Sequence, residues 1–591
     1  RRHLLSILKH PDYPGLVDLI AADLKTKESR GFGSFAIHRA LLPGQLDELL
    51  EKMPELIRNT NYVNAVISKM VPSEDINWKA DREAFGAYLT RVWAFVRTLD
   101  PAFNSLKANT LHQLLSWHRE KGEYPKDLFM EYVKMPRSLH YVNPDYLKGQ
   151  TIQVRNHLVD LNRNFQEVNH CPPVGNDEAL LRAFFLHYFV QEASFIPYAK
   201  YIRDTWLKPI FAEAKIVNGV GDQEKWFAML SPGAYQALKE RIDIEFAATN
   251  PKVFAPGEEV SLDVHVKNVR KLIVKVYEIN ALNVYLDTQR EVSTDLNLDG
   301  LVSNFEEKHA YEESPLRRVK RTFKIPALTG KRGTWIVELI GNGRSSRAVV
   351  RKGRLQFLAR TTAAGTGFTV LDEENKPARA PAVWMGGRKF TPPGKGGEIV
   401  VPFSTKPGRT PVILTDGNLA TLAHHEHPGE NYRLSAGFHV DREALLGGAK
   451  AELAIRARLS LNGVPVPIGL LEDVKLTISS QDLDGSAASQ VVPALKLDDK
   501  GEFTHTLSVP QRLRGLAVQL SGKIRSVSQA KDLPLSAQRS FTVNGIDATA
   551  HVDDVHLSKF GDDHVLEVFG RNGEPLAERA VQVSVKHRDF K

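Results

Sequence analysis

His424-His425-Glu426-His427 is the densest run of metal-ligating side chains in the chain. Successive residues of an extended segment point to opposite faces, so His425 and His427 are the pair that could share an ion there. The run lacks the helical His-Glu-x-x-His spacing with which zinc proteases hold metal and base together. A solvated loop ahead of Pro428-Gly429 is the reading favoured, and no metal or other cofactor is expected. The sole cysteine stands in Asn169-His170-Cys171-Pro172-Pro173. A thiol nucleophile needs a base placed in space and an electropositive pocket, which adjacency in sequence does not supply. Cys171 is read as a structural residue beside a Pro-Pro turn. His187, within Phe185-Leu186-His187-Tyr188-Phe189, is read as a histidine packed among aromatics. No phosphate loop, Gly-x-Ser-x-Gly elbow or Cys-x-x-Cys pair occurs. No catalytic residue is assigned, and the chain is expected not to be an enzyme.

Two kinds of pattern must position these side chains. In the first 247 residues the apolar period is helical. Between Phe85 and Leu99, apolar residues fall at 85, 88, 89, 92, 93, 96 and 99, one face of an α-helix. Leu111, Leu114 and Leu115 follow, with Trp117 nearby. Asn176 is read as the cap of a helix with Asp177 and Glu178 in its first turn, carrying Leu180, Leu181, Phe184, Phe185 and Phe189. Ser231-Pro232 opens another in the favoured cap-then-proline order. No repeat clear enough for a helical solenoid is present.

From residue 250 onward the period becomes two. Pro256-Gly257 turns into a strand in which Val260, Leu262, Val264 and Val266 alternate with polar residues. Three later units share an Asn-containing turn, a Pro that breaks pairing, and a new strand. They are Asn375-Lys376-Pro377 before Ala382-Val383-Trp384, Asn462-Gly463-Val464-Pro465 before Val474, Leu476 and Ile478, and Asn572-Gly573-Glu574-Pro575 before Val581, Val583 and Val585. Two of them continue into Gly-Glu strands, Gly397-Glu398 through Pro402 and Gly501-Glu502 through Pro510. The prolines at 377, 465 and 575 lie 88 and 110 positions apart, the size of a small sandwich domain. Trp93, Trp335 and Trp384 fall on patterned elements and are read as core.

A chain of 591 residues predicts roughly three to five domains. Hydrophobic content of 42% and charged content of 25% are those of an ordinary globular protein. The formal charge of +8 is spread along the chain. Its densest basic run, Arg317-Arg318-Val319-Lys320-Arg321, is read as a protected edge strand in preference to a nucleic-acid patch. A single cysteine excludes an intrachain disulfide. No run of about eighteen apolar residues is present, so no membrane-spanning segment is expected. The chain opens at Arg1 without Met and is expected to be a piece of a longer polypeptide, with any signal or anchor outside it.

The segment opening at Pro256-Gly257-Glu258, with Lys271-Leu272-Ile273-Val274-Lys275-Val276-Tyr277 after it, resembles the second macroglobulin domain of the alpha-macroglobulin family. Phe323-Lys324-Ile325-Pro326 and Gly333-Thr334-Trp335-Ile336-Val337-Glu338-Leu339 look like that domain's closing strands. The resemblance covers residues 250 to 350, extends loosely over 360 to 591, and leaves the helical region untouched. It implies a bacterial, extracytoplasmic protein of tandem sandwiches. Many members trap proteases with a cleavable bait segment and often a thioester in Gly-Cys-Gly-Glu-Gln. That motif is absent, and Cys171 does not match it.

The fold class expected is therefore a helical N-terminal region followed by tandem antiparallel β-sandwich domains of macroglobulin or immunoglobulin-like type. The expected division is a helical domain at 1–247, a macroglobulin-like sandwich at 248–358, a small sandwich at 359–434, a macroglobulin-like sandwich at 435–545, and the truncated start of a further β-domain at 546–591. The function expected is a scaffold for endopeptidase inhibition or protein binding, with a protease as partner and no nucleic acid. Two alternatives stand beside it. One is a purely structural or adhesive sandwich array. The other is an enzyme housed in the helical region around Cys171, His170 and His187, which needs a deep pocket with converging polar groups.

Overall fold

The computed structural model describes residues 1–72, 78, 81–394, 398–498, 502–543, 553–570 and 573–584. It is helical to Glu240 and then built of β-sheets, as the change of apolar period requires. The helical region has two apolar cores. One gathers Leu16, Ile20, Leu46 and Tyr62, and the other runs from Val63 through the Phe184–Phe189 aromatics to Leu238. Helix Arg82–Val96 buries Tyr88, Leu89, Val92, Trp93 and Val96 against helix Asn104–Glu120, which buries Leu111, Leu114 and Leu115. Gly86 faces Trp117 of the second helix, where a Cβ would collide with the indole.

Ser231 caps helix Pro232–Glu240, its hydroxyl accepting from the Ala234 N–H at 3.2 Å. Helix Glu178–Phe189 is capped differently from the expectation. Asp177, not Asn176, is its N-cap residue, while the Asn176 side chain accepts from the Glu178 N–H at 2.8 Å. The Asp177 carboxylate turns inward instead, because a buried arginine claims it.

Strand Val260–Lys267 alternates buried and half-buried residues along most of its length. It is the centre of a three-stranded antiparallel sheet, between Asp243–Phe246 and Arg318–Ile325. A five-stranded sheet covers it, ordered Val253–Phe254, Arg344–Lys352, Gly333–Gly341, Lys271–Ile279 and Phe305–Ala310. Val260, Leu262 and Val264 meet Leu272, Val274, Val276 and Trp335 in the core between them. From Arg318 on, the basic run lies in the edge strand of the smaller sheet, and Arg318, Lys320 and Arg321 are paired. Arg318 binds Glu245 at 2.5 Å, Lys320 binds Asp263 at 2.7 Å, and Arg321 pairs with Glu313 while stacking over Tyr311.

The next sandwich packs a three-stranded sheet (Ile399–Val401, Gly365–Leu371, Gln356–Thr362) on a four-stranded one (Arg388–Phe390, Pro381–Met385, Gly408–Asp416, Leu419–His427). A third follows. Its first sheet places Lys450–Leu461 between Tyr432–Val440 and the pair Val464–Val466 and Phe503–Ser508. The second runs Ala487–Val492, Glu472–Asp482, Leu513–Ser526, Lys531–Thr542. A hairpin, Asp554–Phe560 with Asp563–Phe569, comes last.

The Asn turns take the positive φ that the pattern required, 59° at Asn375 and 50° at Asn462. Gly397, Gly501, Asn572 and Val585 lie outside the described residues. Val581 and Val583, expected on a strand, are exposed and lie in no strand. Alternation makes a strand only where a neighbour completes the ladder, and none of the described residues pairs with them.

Candidate functional site

The histidine run lies on strand Leu419–His427 and not in a loop, paired throughout with Gly408–Asp416. His425 turns inward and meets the edges of Phe357 and Phe368, at ring separations of 5.9 and 5.1 Å. Burial and the neighbouring His427 lower its pKa, which keeps the ring neutral. The His427 Nε2 is engaged 2.9 Å from the Pro402 carbonyl. Among the described residues no three His, Cys, Asp or Glu side chains converge as metal ligands.

The helical candidates are equally dispersed. Cys171 is fully buried, its thiol donating to the Asn169 carbonyl at 3.3 Å. Asn169 in turn donates to the Asn109 Oδ1 at 2.9 Å and the Thr110 hydroxyl at 3.1 Å, while Asn109 donates to the Pro172 carbonyl. That network ties the Pro-Pro turn to helix Asn104–Glu120. His170 stands edge-on to Trp78, and His187 stacks on Tyr124 with the rings 3.8 Å apart. The structure does not bring Cys171, His170 and His187 together.

The polar centre of the helical region was not anticipated. Arg137, fully buried, faces Asp177 at 3.3 Å. Tyr132 donates to one Asp177 oxygen at 2.8 Å and Tyr141 to the other at 2.5 Å. The Arg137 Nη1 donates to the Tyr132 and Met135 carbonyls, and its guanidinium lies over the Tyr132 ring at 4.7 Å. His112 lies beside this group. Burial drives its pKa down to about 4 against the pull of Asp177. Their side chains are buried and bonded to one another and to nearby backbone, so their chemistry is cohesive: they cross-tie three segments of the helical core.

A cleft of about 560 Å³ opens beside the junction with the first sandwich, lined by Pro209, Glu213, Ala234, Leu238, Glu240 and Arg241 among others. It contains none of Cys171, His170 or His187. Its central charges cancel. Arg241 donates to Asp243 at 2.8 and 2.9 Å and to Glu213 at 2.9 Å, and Arg182 also pairs with Glu213. Burial alone would lower the Arg241 pKa, but these two carboxylates raise it and hold the guanidinium charged. Among the described residues the Glu240 carboxylate at the rim meets only the Gln236 amide, so the cleft brings no base and acid together on a common point.

The most elaborately built positions are the joints between units. At the first, Lys267 reaches across from the sandwich, and its ammonium donates to the Leu238 and Arg241 carbonyls at 2.5 and 2.7 Å. Asn268 donates to the Lys239 and Glu240 carbonyls. The C-terminal carbonyls of helix Pro232–Glu240 are thus satisfied by the next unit. Burial lowers the Lys267 pKa to about 8.

At the second joint, Arg332 forks onto Glu373 at 3.2 and 3.1 Å and reaches Asp416 at 2.8 Å. Tyr285 of helix Ala281–Thr288 shares a small core with Ile413 and Ala420, closed by Trp384 and Leu422. Trp384 therefore packs at this joint and not in its own sandwich core, whereas Trp93 and Trp335 are core. At the third, the Glu430 carboxylate accepts from the Ser526 hydroxyl at 2.7 Å, the Ser528 N–H at 2.8 Å and the Val527 N–H at 3.1 Å. Burial would raise the Glu430 pKa, but these hydrogen bonds outweigh it and lower it to about 2. Sequence pattern could not point to these residues, since each acts on a partner in another unit.

Three family models match the chain: the Actin-binding protein F N-terminal domain over residues 1–242, the first immunoglobulin-like domain of that protein over 272–353, and its third over 441–549. Actin-binding protein F of Dictyostelium discoideum is 29% identical over 600 residues, covering 98% of this chain and 25% of that protein. The chain spans about a quarter of the length of the curated relative it matches. Among solved structures, native alpha-2-macroglobulin from Escherichia coli spanning domains MG0-NIE-MG1 is 13% identical, over 31% of this chain and 64% of that one, with a TM-score of 0.23. Surface layer protein SbsC is 10% identical over 97% and 99% of the two chains, with a TM-score of 0.15. Likeness at that level carries no argument.

These matches bear out a helical region followed by immunoglobulin-like β-domains. They also overturn the macroglobulin resemblance, and with it the bacterial, extracytoplasmic setting, the protease partner and endopeptidase inhibition. The physical reason is that a Pro-Gly-Glu turn before alternating valines is common to antiparallel sandwiches in general and marks no one family. The matching models and relative are those of an actin-binding protein rather than an enzyme, in agreement with the reading of the motifs.

Proposed function

We propose that the chain is an actin-binding segment of a cytoskeletal protein, in which a helical unit is carried on a jointed array of immunoglobulin-like domains. The observation that carries this is the match to actin-binding protein F along nearly the whole chain. The structure suits the role. A filament-binding protein must transmit force between its contact surface and the rest of the molecule, and each of the three joints among the described residues is cross-tied by buried or charge-assisted hydrogen bonds. We place the units at 1–247, 248–358, 359–434, 435–545 and 546–591, and their setting in the cytoplasm at the actin network.

Co-sedimentation of the 591-residue chain with increasing filamentous actin tests the proposal. Saturable pelleting with the filaments is expected. A chain that stays in the supernatant at all filament concentrations overturns it.

A further inference from the structure

Sheet edges are the places where a β-protein can acquire another strand, and most edges here are guarded. Arg318–Ile325 carries Arg318, Lys320, Arg321 and Lys324, and Phe305–Ala310 carries Glu306, Glu307 and Lys308. Lys531–Thr542 has Lys531, Asp532, Pro534 and Arg539. Leu419–His427 ends in its histidines and Glu426, and even Phe503–Ser508 contains His505. Charge, proline and shortness are the ordinary devices that keep an edge from pairing. Ala487–Val492 has none of them. Among the described edge strands of four or more residues, it alone lacks both proline and any ionisable side chain.

Its ladder shows which groups it presents. The Asp482 N–H donates to the Ser486 carbonyl, so 482 and 486 form a hydrogen-bonded pair. The register then makes Ser480 with Ala488, Ile478 with Gln490 and Leu476 with Val492 the bonded pairs. Ala487, Ser489 and Val491 alternate with them and turn their N–H and C=O groups away from the sheet. Val491 is 54% exposed, and the strand's other residues, Val492 apart, are exposed too. Beside them, Thr477 and Ser479 of the next strand are uncharged.

We propose that Ala487–Val492 is a self-association edge, which pairs antiparallel with the same strand of a second copy about a two-fold axis through Ser489. Such a pairing sets Ser489 opposite Ser489 and Ala487 opposite Val491, with about six cross-strand hydrogen bonds. An edge of one sign would repel its own copy, as like charges directly opposite do. This edge meets itself without any such cost, which is why a second copy is the occupant that its composition fits. An isologous contact of this kind closes at two, joining two four-stranded sheets into one. The inference stands apart from the actin reading.

Sedimentation velocity of the intact chain over a concentration series tests it. The 66.1 kDa chain is expected to approach twice that mass as concentration rises. Ser489→Pro is expected to abolish the association without unfolding the sheet, because the N–H it deletes faces outward at an edge. Ser489→Lys, which sets like charges across the axis, is expected to weaken it roughly fivefold. An equimolar mixture of Ser489→Lys and Ser489→Glu is expected to recover it. A chain that remains monomeric overturns the proposal, as does a dimer indifferent to Ser489→Pro or a mixture that fails to recover. A chain that stays monomeric and instead binds uncharged extended peptides of unrelated sequence likewise overturns it, and assigns the edge to a foreign extended segment.

Discussion

The helical region and the sandwiches bury different things. In the first sandwich the core is aliphatic apart from Trp335, Phe254 and Phe323, and ion pairs such as Lys320 with Asp263 and Lys324 with Glu259 lie outside it. In the helical region Arg137, Asp177, Asn109, Asn169 and His112 lie close to or within an aromatic core. A sheet satisfies its backbone through the ladder and needs only apolar side chains to stick its layers together. Short helices joined by irregular segments leave carbonyls and amides unpaired, and buried polar side chains have to satisfy them. Arg137 does so for the Tyr132 and Met135 carbonyls, and Asn109 for that of Pro172. The two regions should therefore fail in different ways.

The largest effect is expected at the buried ion pair. Asp177→Ala leaves Arg137 charged and unpaired in the core, and should destabilise the helical region by about 3–5 kcal/mol. Urea unfolding followed by far-UV circular dichroism should show the helical transition shifted and the β transitions in place. Replacing both partners, Arg137→Met with Asp177→Leu, should recover only part of the loss, because it removes the unpaired charge but leaves the Tyr132 and Met135 carbonyls and the two tyrosine hydroxyls without those partners. A double variant no better than Asp177→Ala would break the distinction drawn between the regions.

In the first sandwich the matching test is apolar. Leu262→Ala should cost about 3 kcal/mol in that sandwich, through lost burial and the cavity left behind. The helical transition should not move with it.

Glu430 tests the joints. Glu430→Ala leaves two backbone N–H groups and the Ser526 hydroxyl without their acceptor, at a cost of about 1–3 kcal/mol. Its pH dependence has a definite sign. The folded pKa of about 2 lies below the unfolded value near 4.5, so the contribution is complete above pH 4.5 and is lost as pH falls toward 2. The wild-type third sandwich should lose stability over that window relative to the variant, as measured by thermal unfolding across pH. Smallest of all should be Lys320→Ala, which removes a half-exposed pair with Asp263 and is expected to change stability by about 0.2–1 kcal/mol.

How much of this was legible varies with the kind of interaction. Val260–Lys267 announced itself because alternation and burial on one face are the same fact. The Asn375 and Asn462 turns were readable because only a few residue types accept positive φ. Asp177 was visible only as an acid in a first helical turn, since nothing local signals an arginine forty residues earlier in the chain. His425 read as part of a solvated loop and proved to lie on a strand, its ring held by two phenylalanines from another sheet. Trp384 looked like core and closes a joint. Val581 and Val583 have the alternation of a strand without a partner in the described structure to realise it.

The sequence by itself determined where helix gives way to sheet, which faces of the strands are buried, and where several turns fall. Those properties follow from local sterics and from a period that a short stretch of chain already contains. Only the tertiary structure decided which charges are buried together, how Lys267, Arg332 and Glu430 lock one unit to the next, and which sheet edge is left bare. Each of these depends on groups far apart in the chain, and their strength comes from the removal of water, which occurs only once the units have packed.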